Sequence, residues 1–427
     1  MKTISLSILA LAATANAQLS QIEQRALQTH PMIAVAEAEA RSLRARGDLA
    51  KAPFKPMISL TGVGAVGDDA AIFASSVEPR NYLMAIPDPV GIGSLMAMWT
   101  IYSGGRDRSA AAYASALVAE GDAGLAVARL EVVRDVRVAF AELLAARGEL
   151  EAATAGFMSA EELLRVTEQM FQAGSAPEAF VLKARASLEQ ARRKRSMAEA
   201  EVHAAEAMLR ESAAATGDLI LETTTWDVEL SAPETLEDAL RQAESRPELR
   251  AAEARRAAAA SRSRAARQSA YPELNLVGMG TGMATESESD VFYKVGLVLS
   301  VPITDGGMRR AESAEMAAMA NVAEQEARVI RLRVTREVTS AWAQWQASPE
   351  TLRASEAEVT SAQEAYRIAR LRYQEGKAPQ VEVEQAAADL VEALAGRAEA
   401  NAFRRIAWAN LMRAVGIQND QEDQTIK

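Results

Sequence analysis

Apolar residues return along this chain with two different periods. In the long tracts they recur every three or four residues. Val118, Leu125, Val132 and Ala139 are spaced by seven, as are Val136, Leu143 and Leu150. A sustained seven-residue spacing predicts helices that pack as coiled coils. Elsewhere the period drops to two. Leu274, Leu276, Gly278 and Gly280 alternate with Asn275, Val277, Met279 and Thr281, and Val295, Leu297, Leu299 and Val301 follow after a loop and end at Pro302. Met57 to Val66 and Ser94 to Ile101 behave alike. These four segments predict strands of roughly 9–11 residues, the length that spans an outer membrane.

The whole pattern occurs twice. Pro31 and Pro247 open matching segments 216 positions apart (247 minus 31), and Pro56 and Pro272 keep that offset. Further on the offset is 202 (306 minus 104): Gly104-Gly105 matches Gly306-Gly307, Phe171 to Gly174 matches Tyr373 to Gly376, and Pro177 matches Pro379. The difference of 14 residues (216 minus 202) arises between the first-half strands, which places extra residues on a loop around Gly67 to Pro89. Each half therefore reads helix, strand, loop, strand, long helix, tight turn, helix. The first helix is expected over Leu19 to Lys51, and its copy over Leu236 to Ser269 behind a capping-box-like Thr235-Leu236-Glu237-Asp238. The long helices should run from Arg106 to Gln172 and from Met308 to Gln374, about 100 Å each at about 1.5 Å per residue. Pro349 predicts a kink or break in the second.

The N-terminus adds a destination. Lys2, the apolar stretch Ile4 to Ala13 and Ala15-Asn16-Ala17 form a secretory leader, with a mature start at Gln18. The expected organisation is a signal peptide over 1–17, a first repeat over 18–217, a linker over 218–234, a second repeat over 235–416 and a polar, disordered tail over 417–427. Beyond the leader no apolar run reaches the ~18–20 residues of a membrane-spanning helix, so a membrane crossing must be a barrel.

Four strands cannot close a barrel, because the smallest membrane barrels need about eight. Open sheet edges cannot face lipid. Several copies must therefore complete one ring, which makes the expected fold an α+β membrane protein: a shared barrel continued by long helices. Phe54, Trp99, Tyr102 and Tyr271 flank the strands at one end, where amphipathic rings suit a membrane interface.

Composition excludes other classes. The net charge is −11, which disfavours nucleic acid; the cluster Arg192 to Arg195 reads as a solvated helix face. Cys is absent, which removes disulfides, thiolate metal sites and a lipid anchor on cysteine. The two histidines, His30 and His203, are far apart, and no HExxH, P-loop, GxSxG or dinucleotide fingerprint occurs, so no enzyme and no cofactor is expected. Sixteen methionines are scattered; Met96 and Met98 share one strand face and read as gap-fillers or lipid contacts.

In combination, the openings at Pro31 and Pro247, the Pro-led strands at Pro56 and Pro272, the run Val295 to Gly307 and the aromatic-x-x-Gly turns at Phe171 and Tyr373 resemble the TolC family of outer-membrane efflux proteins. The likeness covers about Leu19 to Gly416. It implies a homotrimer with twelve strands (three times four) in one barrel, a helical tunnel across the periplasm, and docking to a periplasmic adaptor and an inner-membrane transporter, as an efflux or type I secretion duct. It implies adaptor docking at the helical tips, here Phe171, Gly174, Ser175, Pro177, Tyr373, Gly376, Lys377 and Pro379. It implies a tunnel entrance near Tyr373, Glu382 and Glu384. In the first half the position of Glu382 holds Phe180, and the family's basic latch position holds Ala378. Gly104, Gly105, Gly306 and Gly307 would be the strand-to-helix junctions. A periplasmic coiled-coil adaptor without a barrel is the competing reading; it has no need of four membrane-length strands.

Overall fold

The computed structural model describes residues 19–65, 90–215, 230–284 and 289–417. The leader, the first-half loop, most of the linker and nearly all of the tail lie outside the described residues.

Helical residues 19–29 form α1, followed by α2 (Pro31–Ala50) and a short 3-10 turn, Ala52–Phe54. The remaining elements are β1 (Met57–Ala65), β2 (Val90–Tyr102), α3 (Arg106–Gln172), α4 (Glu178–Ser212), α5 (Leu236–Ala243), α6 (Pro247–Gln268), β3 (Glu273–Ala284), β4 (Ser289–Ser300), α7 (Met308–Gln374) and α8 (Gln380–Val415). The long helices α3 and α7 have the predicted bounds and 67 residues each.

Two expectations are corrected. The opening helix of each half is broken into two, α1 with α2 and α5 with α6, at the residue before a proline. Proline has no N–H to donate, and it disfavours helical backbone in its predecessor. His30 fills the gap in the first half, its Nδ1 accepting from the Met32 N–H at 3.2 Å. In the second half Thr235 caps α5: its Oγ1 accepts from the Asp238 N–H at 3.1 Å and donates to the Asp238 carboxylate at 2.6 Å. The other correction concerns only the break foreseen at Pro349, since α7 runs through it without interruption. The carbonyl that Pro349 leaves without a helical donor is that of Trp345. The hydroxyl of Ser348, fully buried, donates to it at 2.8 Å.

The chain divides into two compact units. The first comprises Met1–Ala38, Ala123–Leu249 and Val329–Lys427. Its cores follow the heptads: Val132, Val136, Ala139, Phe140 and Leu143 pack with Leu19, Ile22 and Leu209, and Val334 and Val338 pack with Ala239, Leu411 and Val415. Alanine dominates the buried positions, which lets helices approach closely. Gly148 and Gly156 carry this furthest, since a Cβ on either would overlap Ala398 or Val391.

The second unit comprises Glu39–Asp122 and Arg250–Arg328. It holds one antiparallel sheet in the order β1-β2-β3-β4. Both outer strands, β1 and β4, have a free edge among the described residues.

Candidate functional site

The register assigns every strand residue to a face, because residues directly opposite on antiparallel neighbours share one. Ile58, Leu60, Leu95, Ala97, Trp99, Leu274, Leu276, Tyr293, Val295, Leu297 and Leu299 fall together on one face, with glycines. The other face carries Ser59, Thr61, Ser94, Thr281, Asp290 and Lys294, among apolar neighbours. Among the described residues both faces are open: Leu60, Val295 and Leu297 on the first and Met57 and Phe292 on the second are each exposed by more than half. This alternation is the pattern of a barrel wall with lipid on one side and water on the other. Met96 and Met98 share one face as expected, and their partners Ser59, Met279, Met57 and Val277 set it as the face that carries the polar residues.

The aromatic residues gather at the helical end of the sheet. Trp99 opposes Leu276, and a bulge between Thr100 and Tyr102 brings Tyr102 opposite Leu274. Without that extra residue, positions 99 and 102 would point to opposite faces; the bulge puts both rings on the apolar one. The Trp99 Nε1 donates to the Phe54 carbonyl at 3.2 Å. Tyr271 sits against the Gly104 backbone, where a Cβ would overlap its own.

The same end turns strands into helices. Gly104 and Gly105 have φ of 62° and 91°, and Gly306 and Gly307 have 68° and 91°, all in the left-handed region that favours glycine. Side chains then satisfy the first N–H groups of each long helix. Asp305 Oδ1 accepts from Gly307 N–H and Oδ2 from Arg309 N–H, both at 3.0 Å. Those backbone donors hold the Asp305 carboxyl below its usual range. Ser103 Oγ plays the same part for Asp107 N–H at 3.3 Å. Arg106 Nη1 ties the start of α3 to Glu273 of β3 at 3.0 Å.

At the far end, both tips close as Schellman turns. Gly174 (φ 73°) donates to the Phe171 carbonyl at 2.9 Å and Ser175 N–H to that of Met170 at 2.9 Å; in the copy, Gly376 (φ 70°) donates to Tyr373 at 2.9 Å and Lys377 N–H to Arg372 at 2.8 Å. Pro177 and Pro379 stand at the N-caps of α4 and α8 with φ near −74° and −73°. The duplicated aromatics diverge. Phe171 is 45% exposed, whereas Tyr373 is 5% exposed in a core with Leu163, Ala369 and Val383. Thr167 Oγ1 gives its proton to the Leu163 carbonyl (2.8 Å) and shares a 3.0 Å bond with the Tyr373 hydroxyl. Tyr373 thus braces the tip from inside.

The acids expected at the entrance each have a cation in the same chain. Glu382 accepts from Arg372 at 2.7 Å. Glu384 meets Lys183 at 2.6 Å and accepts from the buried Gln380 at 2.9 Å. Lys377 pairs with Glu375 at 2.8 Å.

Sequence reasoning missed a polar cluster where α3, α6, α7 and α8 meet. Arg246, almost fully buried, donates to Glu248 (2.6 Å), Glu337 (3.0 Å) and the Ala414 carbonyl (3.2 Å). Arg413 reaches Glu131, Glu248 and Glu337. Burial pushes the Glu131 and Glu248 carboxyls up, but the hydrogen bonds and charges of Arg413 and Arg246 outweigh it and hold both below the usual range. Asp135, on the other hand, is raised by burial. The one legible signal was the match of Arg246-Pro247 to His30-Pro31.

A sequence profile of the family described as outer membrane efflux protein matches this chain over residues 22–215 and 240–417. The fold is shared with the outer membrane protein VceC of Vibrio cholerae, at a TM-score of 0.79 and 19% identity over 94% of this chain and 96% of that one. It is shared with the CmeC outer membrane channel of Campylobacter jejuni (TM-score 0.78, 16% identity, 96% and 88% covered). The open state of the MtrE outer membrane channel of Neisseria gonorrhoeae is similar (TM-score 0.78, 17% identity, 94% and 89% covered). No curated protein sequence matches the chain.

Proposed function

From the premise that this chain belongs to the outer membrane efflux protein family, and is an exit duct of the outer membrane with its helical part in the periplasm, we propose that it works as a homotrimer whose three sheets close one twelve-stranded barrel. The family is one of transport channels, and its work implies a periplasmic adaptor and an inner-membrane pump. The observation that carries the trimer reading is the sheet: four strands, two free edges, one apolar face and one polar face. Unpaired N–H and C=O groups along β1 and β4 would each cost several kcal/mol in lipid. Pairing β4 of one copy with β1 of the next removes every edge. A periplasmic adaptor without a barrel gives such a sheet no purpose.

The tips supply the adaptor surface. Phe171 and Phe180 are exposed there beside Gly174 and Gly376, while Tyr373 and Thr167 stiffen the turn from within. Ser175, Lys377 and the capping Pro177 and Pro379 complete the docking surface. Glu382 and Glu384 form the entrance, and their pairs with Arg372 and Lys183 are the contacts that opening would have to exchange. Phe54, Trp99, Tyr102 and Tyr271 mark the periplasmic interface of the lipid.

Membrane fractionation and native mass measurement test this reading. The expected result is detergent-dependent extraction from the outer membrane and a particle of three mature chains, each the 45.7 kDa chain less its leader. A detergent-free monomer in the soluble periplasm would sink it. For the tips, Phe171→Asp should abolish capture of its periplasmic adaptor while the trimer survives.

A further inference from the structure

Four methionines lie side by side on the polar face of the sheet. Met57 of β1 is directly opposite Met98 of β2, and Met96 of β2 is directly opposite Met279 of β3. Opposed residues have Cβ atoms about 5 Å apart, and Met96 and Met98, two positions apart on one strand, are separated by about 7 Å. Three rotatable bonds per side chain let the sulfurs converge from those positions. Met57, Met96 and Met98 are 63%, 45% and 41% exposed, and Met279 is half-buried. The face is mixed, with Ser59, Thr61, Ser94 and Thr281 beside Val63, Ile92 and Val277, and exposed apolar side chains on it gain nothing from the hydrophobic effect.

We propose that Met57, Met96, Met98 and Met279 form a thioether site for a soft monovalent cation, Cu(I) or Ag(I), on the lumen wall of the barrel. Thioethers are soft ligands that select such ions, whereas hard divalent cations need carboxylate or carbonyl oxygen. No oxygen or imidazole cluster competes for the role: the described residues contain no group of three or more His, Cys, Asp or Glu able to hold a metal. The nearest cation, Lys294, stands opposite Met279 on β4. It lies about 5 Å from Met279 and about 10 Å from β2, so Met57, Met96 and Met98 form the centre of the site and Met279 its edge. A homotrimer would present three such patches around one lumen, and sites that hold an ion weakly and repeatedly suit passage better than one that keeps it. The inference rests on the duct reading above for the claim that this face lines the lumen; the register alone carries the thioether cluster.

Two measurements on the full-length protein in detergent separate the premises. Methyl-labelled methionine spectra are recorded during titration with Ag(I) alone. The methyls of Met57, Met96, Met98 and Met279 should shift together while that of Met319, exposed on α7, stays in place. The isosteric pair Met96→Leu with Met98→Leu should weaken Ag(I) binding at least tenfold with the particle mass unchanged. Unmoved methyls, equal shifts at Met319, or undiminished affinity in the double variant would overturn the site. The natural absence of cysteine allows the second measurement. Thr281→Cys on the polar face should react with a membrane-impermeant thiol reagent, and Leu276→Cys on the apolar face should not. The reverse labelling would overturn the lumen assignment irrespective of the silver titration.

Discussion

Pro349 lacks the N–H that the Trp345 carbonyl would receive in a regular helix, and the buried Ser348 hydroxyl takes its place at 2.8 Å. The pair should behave as one unit. Ser348→Ala is expected to cost about 1–2 kcal/mol, read as a lower thermal unfolding midpoint of the detergent-solubilised protein. In a Pro349→Ala background, where the N–H is restored, the same substitution should cost much less. A second residue-scale effect concerns Glu23 and Arg137, whose side chains are 4% and 7% exposed and bonded at 2.7 Å. Glu23→Ala removes one member of a buried ion pair and should cost roughly 3–5 kcal/mol. Glu364→Gln, which breaks the exposed pair with Arg367, should leave the midpoint unmoved. Equal effects from the two would refute the burial argument.

At the scale of elements, α3, α6, α7 and α8 are tied by carboxylates and guanidinium groups. Glu131 and Glu248 titrate below their unfolded values. Their contribution to stability is complete above the ordinary glutamate range and is lost as pH falls through the lowered folded values. Asp135, raised in the fold, has the opposite sign: its ionisation as pH rises costs stability. Midpoints measured across acid pH should therefore fall steeply below about pH 4. Arg413→Met should flatten that fall, because it removes the guanidinium that lowers Glu131. The heptad core gives a test independent of pH. Leu143→Ala removes a fully buried side chain and should cost about 2–5 kcal/mol.

For the whole molecule the unsatisfied surface is as informative as the packed one. Val329 and Leu332 on α7 are 54% and 72% exposed, although their tract carries a helical apolar period. In the proposed homotrimer a neighbouring chain would cover such a stripe. Val329→Asp with Leu332→Asp should leave helix content by circular dichroism intact and shift the native mass below three chains. A trimer that tolerates both charges would argue that this stripe lies outside the interface.

Legibility differed with range. The four strands, the 67-residue bounds of both long helices and the left-handed glycines were readable because each depends on neighbours within one turn or one strand, where period, proline and glycine act directly. The broken opening helices were half readable, since the prolines were plain but the cost they impose was not weighed. The Arg246 and Arg413 cluster was invisible: Arg246 meets Glu337 from 91 positions away, and Arg413 meets Glu131 from 282. The neighbours of Met96 were hidden for the same reason: a strand's own alternation separates two faces, and only the register sets Met96 beside Ser59 and Met279. Sequence by itself determined the elements and their duplication, because local backbone preferences and apolar spacing are written along the chain. Tertiary structure alone decided which charges are buried together and which residues share a strand face across the sheet, because those follow from register and packing between residues far apart in sequence.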